Sequence, residues 1–245
     1  LTIEHQDDID GLRRAGALVS GILAQMRDAA VAGAVSRDLD ALAATRMQAA
    51  GARPAPALTY GFPGTTCISI GRVAAHGIPD GTVLREGDLV NIDVSAELDG
   101  YFADTGASFV VGTPSPGQQR LLDAAREARD RAVAQLRAGN LLNGIGRTVE
   151  AVAARRGFRV LRDLGSHGVG RALHEAPGTI PGYYDPRDTR RLHDGMVITV
   201  EPFLATHSIR TIEADDGWSL VCPRGHAAQF EHTVIVTRDA PIVVT

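Results

Sequence analysis

Five side chains carry the chemistry this sequence offers most clearly: Asp93, Asp104, His167, Glu201 and Glu231. Asp93 lies within Val90-Asn91-Ile92-Asp93-Val94. Glu201 ends the apolar run Met196-Val197-Ile198-Thr199-Val200, and Glu231 sits between Phe230 and His232, just before Thr233-Val234-Ile235-Val236. A carboxylate at the margin of such a strand is costly to bury without a partner. Four carboxylates with one imidazole make an oxygen-rich donor set, suited to two divalent ions and a poor fit for a lone zinc.

A hairpin relates two of them. Asp99-Gly100 is a strong two-residue turn signal. With those residues as the loop, Leu98 faces Tyr101, Ser95 faces Asp104, and Asp93 is Asp104's diagonal neighbour on the same face, roughly 7–8 Å away at the backbone. A slip of one residue would send them to opposite faces. Two such carboxylates either repel across a gap that a cation fills, or both point into water from the open face of a sheet. His167 stands in a glycine-rich segment, Gly165-Ser166-His167-Gly168-Val169-Gly170, where the backbone can approach a ligand closely. Its glycine spacing is not that of a dinucleotide-binding loop. Nor does His174-Glu175 open an HExxH zinc motif, because Ala176-Pro177-Gly178 follows.

The elements that must position these groups alternate in type. Ile9, Leu12, Val19, Ile22, Leu23 and Met26 predict an amphipathic helix, and Leu39, Leu42 and Met47 a shorter one after Ser36 that stops at Gly51. Pro54 and Pro56 argue against helix there and for extended chain. Ile68 to Val111 reads as strand and turn. Helices follow over about 116–137 and 146–156, then extended segments over 158–164, 196–200 and 230–236. The order of helix, helix, strands thus occurs twice. Leu84-Arg85-Glu86-Gly87-Asp88-Leu89-Val90-Asn91-Ile92-Asp93 also aligns with Leu192-His193-Asp194-Gly195-Met196-Val197-Ile198-Thr199-Val200-Glu201, setting Asp93 opposite Glu201.

Composition removes several alternatives. All 25 cationic side chains of the 245 residues are Arg. Without Lys there is no Schiff base, no Walker A lysine and no Ser–Lys dyad. A net charge of −4 gives no electrostatic footprint for nucleic acid or an anionic membrane. Two distant cysteines, Cys67 and Cys222, and no long apolar span lead to the expectation of a soluble cytoplasmic protein without specific nucleic-acid binding.

The ordered segments Gly61-Phe62-Pro63, Cys67-Ile68-Ser69-Ile70, His76-Gly77-Ile78-Pro79, Val90 to Val94, Asp104-Thr105, Gly165 to Arg171, His174-Glu175-Ala176-Pro177, Glu201-Pro202 and Phe230-Glu231-His232-Thr233 resemble the type I methionine aminopeptidases over nearly the whole chain. The resemblance implies an α+β "pita-bread" fold, a single catalytic domain over 1–245. Its two pseudo-symmetric halves, about 1–112 and 113–245, would surround a curved antiparallel sheet flanked by helices. It implies Asp93, Asp104, His167, Glu201 and Glu231 as ligands of two divalent ions (cobalt, manganese, iron, zinc or nickel), with Asp104 and Glu231 bridging. It makes His76 and His174 substrate contacts, Glu201 also a base, and Phe62, Cys67, Leu173 and Trp218 walls of the methionine pocket. The implied reaction removes the initiator methionine from nascent polypeptide N-termini, preferring a small second residue, by a monomer.

The pocket departs from the family. Pro56-Ala57-Leu58-Thr59-Tyr60 stands where aromatic and Cys residues are common, Gly71-Arg72 where Asn-Glu is, Ala75 where Cys is, and Leu173 where an aromatic is. The lack of a Cys-rich extension, and only 29 residues between Glu201 and Glu231, point to the short bacterial type. The Arg-rich stretches (Arg126, Arg129, Arg131, Arg137; Arg155, Arg156, Arg159, Arg162) read first as solvated faces and second as a ribosome contact. Two rivals remain: a proline-specific aminopeptidase or dipeptidase of the same fold, and a non-catalytic binding protein on that scaffold.

Overall fold

The computed structural model describes residues 1–245. Helix α1 (Gln6–Ala29) buries Leu12, Val19, Ile22, Leu23 and Met26, the stripe their spacing predicts, against the sheet formed by the strands after it. Helix α2 (Ser36–Ala49) buries Leu39, Ala43 and Met47. The next segment corrects the sequence reading. Pro54 and Pro56 do not keep the chain extended: a two-residue strand β1 (Arg53–Pro54) leads directly into helix α3 (Ala55–Tyr60). Pro56 occupies the first turn, where its missing N–H breaks no helical hydrogen bond and its fixed φ suits entry. Gly61, at φ 71°, ends the helix in the left-handed conformation.

Strands β2 (Cys67–Ile70), β3 (Val73–Ala75), β4 (Leu89–Leu98) and β5 (Tyr101–Val110) come next. β4 is central, pairing antiparallel with β1 and β2 along one edge and with β5 along the other. Asp99 and Gly100 both have positive φ, 52° and 81°, as a two-residue type I′ turn requires. The register is that of the hairpin arithmetic: Leu98 faces Tyr101 and Ser95 faces Asp104.

The remaining chain adds α4 (Pro116–Ala134) and α5 (Gly144–Arg156), packed on each other. Ser115 starts α4 with a reciprocal cap to Gln118. The short strands β6 (Arg159–Val160), β7 (Gly165–Gly168), β8 (Glu175–Pro181), β9 (Val197–Val200) and β10 (Phe203–Ala205) follow. They precede β11 (Ile212–Glu213), β12 (Leu220–Val221), β13 (Ala227–Gln229), β14 (His232–Ile235) and β15 (Ile242–Val243). The order β15-β14-β9-β7-β8 forms the largest sheet, and all pairings in the molecule are antiparallel. No helix is long and apolar enough to cross a membrane.

The aligned decapeptides adopt matching turns. Gly87 and Gly195 sit at φ 86° and 79°. The Gly87 N–H donates to Val111 O at 2.8 Å, and that of Gly195 to Val236 O at 2.9 Å. Asp93 and Glu201 each come six residues after their glycine, on β4 and just past β9. The two sheets are then tied along β5: Glu231 N donates to Gly106 O at 2.9 Å, Asp104 N to Thr233 Oγ1 at 3.0 Å, and Thr105 Oγ1 to Glu231 O at 3.1 Å.

Candidate metal centre and substrate cleft

The hairpin presents Asp93, Ser95 and Asp104 to one cleft, as its parity demands. β2 adds Cys67, which pairs with Asp93 and lines the same cleft. His167 arrives from β7, where pairing with β8 is irregular between Ser166 and Gly168. Such irregularities re-aim a side chain. Gly168 permits this approach, since a Cβ there would lie 2.1 Å from Ala176 O.

Thr199, fully buried, couples two of the expected ligands. Its hydroxyl accepts from His167 N at 3.0 Å and donates to Glu201 Oε1 at 2.8 Å. Glu201 N in turn donates to Ser166 Oγ at 3.0 Å. Glu231 is 0% exposed and is held from behind by a relay of side chains. Gln229 Nε2 donates to Glu231 Oε2 at 3.0 Å, and Asn91 Nδ2 to Gln229 Oε1 at 2.8 Å. Thr199, Ser166, Gln229 and Asn91 are supporting residues that sequence reasoning did not single out. A hydroxyl two residues before an acidic strand end, and an amide two before Glu231, were the available signals.

One donor atom each from Asp104, His167 and Glu231 lies within 4.8 Å of the other two. His167 Nε2 is 3.2 Å from Glu201 Oε1 and 3.8 Å from Asp104 Oδ2. Asp93 borders this group from the cleft side. The donor set fits divalent cations on three counts. First, His167 Nδ1 lies 3.0 Å from Gly168 O, so it carries the proton there and leaves the Nε2 lone pair facing carboxylate oxygens. Second, Asp104 Oδ1 and Glu231 Oε1 are buried and have no hydrogen-bond partner. Third, four carboxylates cannot share so small a volume without a counter-charge. Burial and then the charge of Glu201 push Asp93 up to about 7. Burial and then Asp93 drive Asp104 well above the carboxylate range, and burial and then Asp104 do the same to Glu231. Burial opposes protonation of His167, but the hydrogen bond to Glu201 and the surrounding acids outweigh it and raise its pKa.

The cleft has a volume of about 400 Å³, within the range of small-ligand sites. Phe62, Cys67, Leu173 and Trp218 all line it, Phe62 and Trp218 meeting edge to face with centroids 5.2 Å apart. Ala75 and Phe203 complete the apolar wall. His76 opens onto the cleft from a strained backbone, φ 55°, a conformation that clusters at functional sites. His174 lies with its ring centroid 3.9 Å from that of His167. Burial, then the neighbouring His167 and His76, lowers its pKa to about 4, and burial also lowers that of His76. Tyr60, at the end of α3, also lines the cleft, with its hydroxyl 2.5 Å from His174 Nδ1. The extended reading at Pro54 and Pro56 did not foresee the helix that places this residue. Among the Arg-rich stretches, Arg126 and Arg129 lie over the Phe230 ring instead of being simply solvated, and Arg155 and Arg156 pair with Glu127.

An antiparallel α+β scaffold around a buried Asp, Glu and His cluster at the foot of a peptide-sized cleft is the arrangement of a metal-dependent hydrolase. The chain belongs to metallopeptidase family M24, whose profile matches residues 10–238. It is 41% identical to the methionine aminopeptidase of Staphylococcus epidermidis, covering 100% of this chain and 98% of that protein. To methionine aminopeptidase 2 of Bacillus subtilis it is 40% identical, with 100% and 99% covered. The crystal structure of methionine aminopeptidase from Thermotoga maritima superposes with a TM-score of 0.95 at 29% identity, covering 100% of this chain and 99% of that one. The pita-bread architecture expected from the sequence is thus the fold of the chain.

Proposed function

We propose that this chain is a metal-dependent methionyl aminopeptidase, which hydrolyses the first peptide bond of polypeptides that begin with methionine. The observation that carries the reading is the buried meeting of Asp104, His167 and Glu231, with two unpartnered carboxylate oxygens, beside an apolar cleft. Relatives covering the whole chain at 40–41% identity bear the name methionine aminopeptidase, which favours this reading over the proline-specific one. All five donor side chains are present, which disfavours a binding protein that has lost catalysis.

Asp93, Asp104, His167, Glu201 and Glu231 would hold two divalent ions. Cobalt, manganese, iron, zinc and nickel all suit this donor set. Divalent ions there supply two things, acidification of water toward neutral pH and polarisation of a carbonyl. The protein's own groups do the rest. Glu201, fixed by Thr199 and Ser166, accepts the proton that water releases as it attacks the carbonyl carbon. His174, neutral at physiological pH, donates a hydrogen bond to the carbonyl oxygen as charge develops there. Glu201 then passes that proton to the amide nitrogen as the C–N bond breaks, and His76 hydrogen-bonds the departing amine. Phe62, Cys67, Leu173 and Trp218 pack the methionine side chain, and a small second residue is preferred. The chain acts as one catalytic unit with halves at about 1–112 and 113–245. We infer a cytoplasmic monomer acting on nascent chains, with the Arg-rich helices available to meet the ribosome.

Protein reconstituted with Mn²⁺, Co²⁺ or Fe²⁺ is expected to release methionine from Met-Gly-Xaa peptides and to cleave Xaa-Pro peptides far more slowly. Faster Xaa-Pro cleavage would reject the methionine assignment, and no cleavage of either would reject the enzyme.

A further inference from the structure

Tyr60 is half exposed, closes the short helix α3 and makes no hydrogen bond to an expected metal ligand, yet its hydroxyl lies 2.5 Å from Nδ1 of His174. The two rings are tilted at 49° with centroids 5.5 Å apart, so the contact is made through the hydroxyl and not by stacking. A neutral imidazole has two tautomers, and only one of them can donate a hydrogen bond from Nε2. A phenol is a stronger donor than a neutral imidazole N–H, and the ring nitrogen is a stronger acceptor than a phenol oxygen. The short contact therefore runs from Tyr60 O–H to Nδ1, which leaves the imidazole proton on Nε2. The His174 ring also lies beside that of His167, with centroids 3.9 Å apart, and both residues line the cleft.

We propose that Tyr60 is a positioning residue that selects the Nε2–H tautomer of His174 and aims it at the scissile carbonyl oxygen. This rests on the aminopeptidase reading for the identity of the acceptor, but the tautomer itself does not depend on activity. It assigns a task to α3, the one helix the sequence did not announce. It also explains why a half-exposed tyrosine is ordered against the cleft instead of extending into water. No covalent step is involved. Tyr60 keeps its proton throughout, and its effect reaches the substrate only through His174.

The substitution Tyr60→Phe tests this, because it keeps the ring on an exposed helix end and removes only the hydroxyl. Loss of one neutral hydrogen bond is expected to lower kcat roughly two- to twelvefold, with KM and bound metal nearly unchanged. In a His174→Ala background the same substitution is expected to have no further effect on kcat, as for two residues acting as a unit. Nitrogen-15 spectra of the diamagnetic Zn²⁺-loaded protein, with its histidines labelled, supply a readout that a merely structural role would not move. His174 of the unsubstituted protein is expected to show a bare Nδ1 and a protonated Nε2, and the Tyr60→Phe variant a mixture. A proton on Nδ1 in the unsubstituted protein overturns the proposal. So does an unchanged spectrum with unchanged kcat in the variant, or an equal loss of kcat with and without His174. If no metal-loaded form cleaves peptides, the aminopeptidase reading fails while the spectra still decide the tautomer.

Discussion

Replacing Asp93 by Asn in the metal-free protein should make it more stable at neutral pH, a result opposite to that for most buried substitutions. Asp93 carries a pKa of about 7 in the fold against an ordinary 3.8. The folded state thus binds the proton more tightly than the unfolded chain. The associated stability is fully present below about pH 4 and is lost as pH rises through 7. That difference, at about 1.4 kcal/mol per pH unit, sets an upper figure of about 4 kcal/mol. Asp93 is partly open to the cleft, and solvent reaching it there brings the expected difference to roughly 2–4 kcal/mol at pH 7.5. For a chain of this length that is roughly 5–15 °C in Tm. The curve of the unsubstituted protein alone mixes opposite signs, because burial also holds His174 and His232 near 4, and neutral histidines add stability as pH rises. The difference between the two chelator-treated proteins removes those histidine contributions and reports Asp93 together with its repulsion of Asp104 and Glu231. Thermal unfolding from pH 3.5 to 7.5 should show the curves closest at the acid end, separating steadily from about pH 4 and levelling off above about pH 7, the Asn variant higher. Adding metal should reverse the order, because ion binding at a thousandfold its Kd contributes about 4 kcal/mol to the protein that keeps its ligand. A pH-independent gap, or a less stable Asn variant at pH 7.5, would refute the claim that these carboxylates crowd one another in a buried site.

His174→Ala should lower kcat by about 10²–10³-fold with bound metal unchanged, whereas Asp104→Ala should lose metal and turnover together; elemental analysis beside kinetics separates the two. Equal metal loss in both variants would show that His174 is not outside the ligand set. Thr199→Val removes the hydroxyl shared by His167 N and Glu201 Oε1 and should weaken metal affinity by about 10–100-fold while leaving an N–H unpaired at a cost of about 1–3 kcal/mol. Calorimetric titration with Mn²⁺ and thermal unfolding check both effects, and an unchanged affinity would mean that Thr199 does not orient these ligands.

Local chemistry determined much of this protein in advance. A two-residue Asp99-Gly100 turn fixes hairpin parity, and parity alone brings Asp93 and Asp104 to one face, because side chains alternate along a strand. Likewise the helical stripe of α1 comes from its 3.6-residue period, and the paired decapeptides announce two equivalent turns. Those are short-range constraints, each written within a dozen residues. The long-range arrangement needed the tertiary structure. Only the packing of β5 along Phe230–Thr233 brings Glu231 to Asp104, and only the side-by-side pairing of β7 and β9 lets Thr199 bond both His167 and Glu201. A proline pair reads locally as a helix breaker, yet at 54 and 56 it begins a helix. The reason is that the first turn needs no N–H from Pro56, and the helix opened there carries Tyr60 to a histidine 114 residues away. Sequence spacing records which groups share a face; which faces meet is decided by burial summed over the whole chain.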